Sequence, residues 1–175
     1  MCIRDRSTPT RYWREDESIG YLVVGPKLSG TPTSKKSKKK SPIIEDAELQ
    51  SFITSMLLNR WGAPKWYADG LGSLAYEKAY RKSALVAAWK KQAPKTLHIV
   101  RNAREIFDAK MPTNDSIAAT WAWAKYLARD SKRMNRLHLA ISKGNAFERS
   151  FAGIYGKTPE ELCDAWLKWM RPKKK

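Results

Sequence analysis

The sequence predicts an α+β domain that is mainly α-helical, and two patterns carry that prediction. Apolar residues recur at helical spacing in successive segments from residue 43 to about residue 170. Before them, residues 20–26 (Gly-Tyr-Leu-Val-Val-Gly-Pro) form a short run rich in β-branched and aromatic residues. Such a run, closed by Gly-Pro, is typical of a strand. We therefore expect one N-terminal strand or hairpin followed by a helical domain.

The first 42 residues divide into two parts. Residues 1–7 resemble the peptide that results when sequencing-adapter DNA is translated, so they are interpreted as an artefact that replaces the true N-terminus. Without them Cys2 is lost and Cys163 is left alone, so no intrachain disulfide is expected. Residues 8–42 hold the strand and a loop rich in Lys, Ser, Thr, Gly and Pro. That loop has too few apolar side chains to order itself.

The helical domain is predicted over residues 43–170 as helices separated by Gly, Pro and polar residues. Its expected helices span about residues 43–60, 66–81, 83–92, 96–110, 116–129, 131–143, 146–155 and 159–170. Pro94 is expected to separate the third from the fourth, because proline removes a helical hydrogen bond. The last helix begins with Thr158-Pro159-Glu160-Glu161, in which the Thr and Glu161 side chains can cap each other's backbone N–H groups.

The net charge is +17, from 34 basic and 17 acidic residues. Two clusters outside the helical domain inflate it: Lys35, Lys36, Lys38, Lys39 and Lys40, and the tail of residues 171–175 with Arg171, Lys173, Lys174 and Lys175. The lysines of the first cluster and the Lys173–Lys175 tail are candidates for weak, non-specific binding of nucleic acid or other anions. Solvated linkers and tails have the same composition. No apolar run approaches the roughly 18 residues of a transmembrane helix, so no membrane span is expected.

Several catalytic motifs are missing from the sequence. His98 and His138 lie far apart in separate helical segments, and a single cysteine cannot form a zinc cluster. A phosphate-binding glycine loop and a Gly-x-Ser-x-Gly elbow are also absent. The tryptophans occur beside other apolar residues, which predicts that they lie mainly in the core, with Trp123 and Trp169 partly exposed.

One arrangement resembles a known family. Residues 44–52 (Ile-Glu-Asp-Ala-Glu-Leu-Gln-Ser-Phe) and residues 62–71 (Gly-Ala-Pro-Lys-Trp-Tyr-Ala-Asp-Gly-Leu) are similar to the bacterial gluzincin zinc peptidases, in particular the peptidase MA-like domains. These place His-Glu-x-x-His on one helix and Pro-x-Trp-x-x-Glu-Gly at the start of the next. In that family the two His and the second Glu bind zinc, and the first Glu is the general base. The resemblance covers about residues 20–170.

The resemblance places Ala47 and Ser51 at the two histidine positions, Glu48 at the general-base position and Asp69 at the third ligand position. A methyl group cannot bind zinc, and a hydroxyl is a poor ligand beside an imidazole. The site is therefore expected to be degenerate, with no metal and no other cofactor bound.

The family's fold implies a zincin-like active-site helix followed by a C-terminal helical subdomain. Glu48, Trp66, Asp69 and Gly70 would line its cleft. The expected function is that of a non-catalytic pseudo-metallopeptidase that binds a peptide or protein, or acts as a scaffold.

Three alternatives stay open. The chain is an active metal-dependent hydrolase with unusual ligands, since Glu48 and Asp69 would suit Mg²⁺ or Ca²⁺ weakly. It is a basic protein that binds nucleic acid or an anionic surface. Or it is an unrelated helical domain in which Asp69 is an acid near a helix N-terminus. Members of the family are often exported, so an exported or periplasmic location is the only one indicated.

Overall fold

The computed structural model describes residues 10–14, 19–23 and 42–171, and this part of the chain is mainly helical, as predicted. Its helices are α1 (Pro42–Arg60), α2 (Lys65–Ala79), α3 (Ala84–Ile99), α4 (Ala103–Phe107), α5 (Thr113–Leu127), α6 (Ser131–Ser142), α7 (Phe147–Tyr155) and α8 (Pro159–Met170). Residues 1–7, the lysine cluster at 35–40 and Lys173–Lys175 lie outside the described residues.

Two short strands, β1 (Thr10–Arg14) and β2 (Ile19–Val23), form an antiparallel hairpin. Thr10 is opposite Val23, and Arg14 is opposite Ile19. This hairpin is the β structure of the described residues. Two strands are too few to form a sheet against which a hydrophobic core could pack. The assignment to the α+β class stays a prediction.

Helix α2 lies between α1 on one side and α5 on the other. Two glycines allow both contacts. A Cβ on Gly70 would lie 2.7 Å from the backbone oxygen of Thr120 in α5, and a Cβ on Gly72 would lie 2.9 Å from that of Ser51 in α1. Both distances are shorter than real Cβ contacts, so glycine is what lets the three helices approach so closely.

The prediction that Pro94 separates two helices is wrong. Helix α3 runs through it, and the next helix is the short α4. A proline inside a helix costs about 3 kcal/mol. Asp115 of α5 bridges the proline, because its carboxylate accepts hydrogen bonds from Gln92 Nε2 at 2.5 Å and from Thr96 Oγ1 at 2.7 Å. The two donors flank the proline, so α5 holds the two halves of α3 in one helix.

The C-terminal helix α8 begins as predicted. It also forms hydrogen bonds with the junction between α3 and α4. Thr158 Oγ1 accepts the Glu161 N–H at 3.2 Å, and the Glu161 carboxylate accepts the Thr158 N–H at 2.9 Å. Further along, the Asp164 carboxylate accepts the N–H of Ala103 at 2.7 Å, at the start of α4. Arg171 donates to the carbonyl oxygens of residues 100 and 101, just after α3. Arg171 therefore contacts the helical domain.

Most of the tryptophans lie in the core, as expected. The expected exposure of Trp123 is wrong: it is 0% exposed, and its ring packs against those of Tyr126 and Trp166, at centroid distances of 5.4 and 5.1 Å. Trp169 is 66% exposed, which confirms the prediction for that residue. Cys163 is buried in the same core.

Candidate functional site

The two histidine positions of the resembled pattern lie on the face of α1 that packs against α2. Ala47 and Ser51 are both 0% exposed. One turn further, the Ser55 hydroxyl donates to the carbonyl oxygens of Ser51 and of Ala68 in α2, each at 3.1 Å. Residues spaced by four share one face of a helix. Ala47, Ser51 and Ser55 thus form a row of small side chains, which we call the α1 seam.

The α1 seam leaves little room beside Ser51. A Cβ on Gly72 would lie 3.3 Å from Ser51 Oγ as well as 2.9 Å from the Ser51 carbonyl oxygen. Ala47 lies in a buried cluster with Tyr76 of α2 and Trp121 of α5. A close-packed contact of this kind cannot take a larger ring without moving the helices.

The two acidic positions, Glu48 and Asp69, are less buried than the α1 seam. The Asp69 side chain is 43% exposed, and its carboxylate pairs with Lys65 Nζ at 2.6 Å, one turn earlier in α2. Glu48 is partly buried. Burial raises the pKa of Tyr76, a hydrogen bond with Ser83 lowers it, and the charge of Glu48 raises it.

The donor set at the three ligand positions does not fit a zinc ion. Ala47 offers a methyl group, Ser51 a neutral hydroxyl and Asp69 a carboxylate already bound to Lys65. Within the described residues no three His, Cys, Asp or Glu side chains lie close enough together to hold a metal ion. No catalytic step through zinc can be derived from these side chains.

The remaining residues assigned to the cleft are packing positions. Trp66 is buried and stacks on Phe107, with ring centroids 4.1 Å apart and planes at 8°. Gly70 is buried against the backbone of α5. The structure therefore brings Ala47 and Ser51 together in one contact but places Trp66 and Gly70 in others.

The histidines are separate, and one of them has a specific partner. The Tyr67 hydroxyl and His138 Nε2 are 3.0 Å apart, linking α2 to α6. Burial lowers the pKa of His138, which favours the neutral imidazole that can accept the Tyr67 proton. His98 is exposed on α3. The Tyr67–His138 bond joins residues 71 positions apart, so no local sequence pattern predicts it.

A site that the sequence did not reveal lies at the C-terminal end of α2. The carboxylate of Glu77 accepts hydrogen bonds from Trp121 Nε1 at 3.0 Å and Lys125 Nζ at 3.0 Å, and pairs with Lys90 Nζ at 3.2 Å. Partial burial opposes its ionisation, but the hydrogen bonds from Lys125, Lys90 and Trp121 outweigh that effect and lower the pKa of Glu77. Glu77 therefore stays charged, and its charge is matched by two lysines.

Beside Glu77, helices α2, α5 and α6 enclose a groove of about 570 Å³. We call it the α2–α5–α6 groove. Its floor is apolar and consists of Leu71, Leu74, Ala75, Ala128 and Met134. Its rim carries Lys78, Arg81 and Lys125, and Glu77 lines the groove as well. One signal could have pointed here: the sequence contains no Asp or Glu between Glu77 and Glu105.

Comparison of the chain with family models, with curated proteins and with solved structures found no match. None of the described helices is both long and apolar enough to cross a membrane. Function must therefore be argued from the α1 seam and the α2–α5–α6 groove.

Proposed function

We propose that the chain is a non-catalytic pseudo-metallopeptidase domain that binds a peptide or protein or serves as a scaffold. One observation carries the proposal. The positions that hold zinc in the resembled family are occupied by Ala47 and Ser51, whose small side chains fill the contact between α1 and α2. Side chains that pack two helices together contribute to stability, and here they replace the imidazoles that chemistry would need.

The same proposal includes the finer features of the fold. In it, α1 corresponds to the former zinc helix of a zincin-like α+β fold, and the hairpin corresponds to a remnant of its sheet. The helices after α2 correspond to the C-terminal subdomain. The order of elements, with a hairpin before α1 and helices after it, supports this correspondence.

The test is metal content together with hydrolysis. The purified protein is incubated with zinc, dialysed, and measured by elemental analysis, and casein cleavage is followed with and without a chelator. We expect far less than one equivalent of zinc and no chelator-sensitive cleavage. One equivalent of zinc with cleavage that a chelator abolishes would show an active hydrolase with unusual ligands.

A second candidate function is binding to nucleic acid or another anionic surface, which the net charge of +17 favours. Affinity for heparin or duplex DNA should then fall steeply as salt rises, because bound phosphates release counterions. Deletion of residues 34–40 and 172–175 would remove binding by the two lysine clusters. The deletion must spare Arg171, since that side chain holds the end of α3.

A further inference from the structure

The α2–α5–α6 groove combines an apolar floor with a cationic rim. Its floor exposes the edge of the core through Leu74 and Met134, both partly buried and packed on the main apolar cluster. Its rim is cationic through Lys78 and Arg81, which are exposed and form no ion pair with the described side chains of residues 47–171. A ligand that matches both features must be apolar on one face and acidic on the other.

Glu77 does not cancel the positive rim. Its carboxylate is already shared by Lys90 and Lys125, so the group contributes a net positive charge. Lys125 is also held in place, because its ammonium lies 4.7 Å from the centre of the Trp121 ring. Lys125 is thus occupied by Glu77, and the cations left to meet an acidic ligand are Lys78 and Arg81.

We propose that the α2–α5–α6 groove binds an acidic amphipathic peptide segment of a partner protein. Its apolar side chains would cover Leu74 and Met134, and its carboxylates would face Lys78 and Arg81. The volume of about 570 Å³ lies within the range of roughly 300–1,000 Å³ that is typical of ligand sites. Helices commonly dock into such grooves through apolar residues spaced three and four apart. This inference rests on the proposed binding role and names the surface and the partner's chemistry.

A nucleic acid fits the rim but not the floor. Phosphates would pair with Lys78 and Arg81, but Leu74 and Met134 offer them no polar contact. Single-stranded nucleic acid binds through exposed aromatic rings, and the groove lining contains none. The observations therefore favour a peptide.

The probe is a synthetic fluorescein-labelled peptide of about 14 residues, with Leu at positions spaced three and four apart and Glu at most others. A scrambled peptide of the same composition is its control. Fluorescence anisotropy measures both against the full chain. We expect the patterned peptide to bind at least tenfold more tightly than the scrambled one, because only a continuous apolar stripe can cover the floor.

Two variants test the rim and the floor separately. Lys78→Glu/Arg81→Glu reverses the rim, and Ala128→Phe fills the floor without changing charge. Each should weaken binding of the patterned peptide at least tenfold. The matched control is Lys95→Glu/Lys168→Glu, which makes the same charge change on exposed residues away from the groove and should alter binding less than about threefold by long-range electrostatics.

Circular dichroism establishes that each variant is folded, and Ala75→Met takes the place of Ala128→Phe should the latter unfold. Equal binding of patterned and scrambled peptides would overturn the proposal. So would a loss of binding in the rim variant alone, which would indicate non-specific anion binding of the kind nucleic acid shows. Neither result bears on zinc content or hydrolysis, so failure here is distinguishable from failure of the non-catalytic assignment.

Discussion

The two sides of α2 differ in how they meet their neighbours. Toward α1, Gly72 and the small residues of the α1 seam allow the two helices to pack in direct contact. Toward α6, the C-terminal end of α2 leaves the α2–α5–α6 groove open, with Leu74 at its floor and Lys78 at its rim. The side that carries the family resemblance is therefore filled, and the open site lies where no motif pointed. The binding site that we propose is marked by available space and by exposed Lys and Arg side chains, and not by a sequence motif.

The largest expected effect comes from disrupting the contact between α1 and α2. Ser51→His should lower the free energy of unfolding by about 3 kcal/mol or more. The buried hydroxymethyl group would be replaced by a larger polar ring, for which the contact with α2 leaves no space. Chemical denaturation measures the loss. Gln50→His is the matched control, since residue 50 is the exposed neighbour on α1, and it should cost less than about 1 kcal/mol. Equal stability of the two variants would mean that Ser51 faces an open space.

A smaller effect is expected from the glycine opposite Ser51. Gly72→Ala should destabilise the fold by about 1–2 kcal/mol, because the clash with Ser51 and Ser55 exceeds the gain of about 1 kcal/mol in helix propensity. Gly153→Ala in α7 is the control. A Cβ there would meet nothing within 4 Å, so it should stabilise the protein by up to about 1 kcal/mol. A stabilising Gly72→Ala would contradict the close contact between α1 and α2.

On the open side, Glu77→Gln should cost about 1 kcal/mol, because it keeps the shape of the side chain but removes the charge shared by Lys90 and Lys125. The loss should shrink at high salt. Asp69→Asn, which removes a more exposed ion pair with Lys65, should cost less than about 0.5 kcal/mol. Thermal unfolding at two salt concentrations compares them. The reverse order of effects would show that the Glu77 cluster adds nothing beyond a surface pair.

The smallest effect concerns the Tyr67–His138 bond, which also joins α2 to α6. Burial lowers the pKa of folded His138, so the unfolded chain binds more protons as the solution is acidified. Stability should therefore be full above about pH 6.5 and fall below it, levelling off once folded His138 also protonates. Urea unfolding between pH 7 and pH 5 measures this. His138→Gln should remove most of the pH dependence, and an unchanged slope in that variant would assign it to other groups.

Local patterns predicted much of this fold. The Thr158–Glu161 capping box starts α8 as expected, because both of its hydrogen bonds form between residues three apart. The break at Pro94 was wrong because the force that opposes it comes from Asp115, about 20 residues away. Trp123 is buried by Trp166 of α8, which no pattern within α5 shows.

The candidate sites were harder to predict than the helices. The positions of Ala47 and Ser51 on one helix face follow from their spacing, but the contact with Gly72 that fills the site does not. The groove depends on how three helices are placed, since Lys78 and Lys125 come from different ones. Only the stretch without acidic residues after Glu77 is visible in the sequence.

The most direct measurement is the zinc content and thermal stability of an Ala47→His/Ser51→His variant, with and without added zinc. If the α1 seam is a packing contact, the variant unfolds well below the wild type, and zinc neither binds at one equivalent nor restores its stability. A folded variant that holds one equivalent of zinc and melts at a higher temperature with the metal would contradict this. It would show that residues 47, 51 and 69 converge on an open pocket.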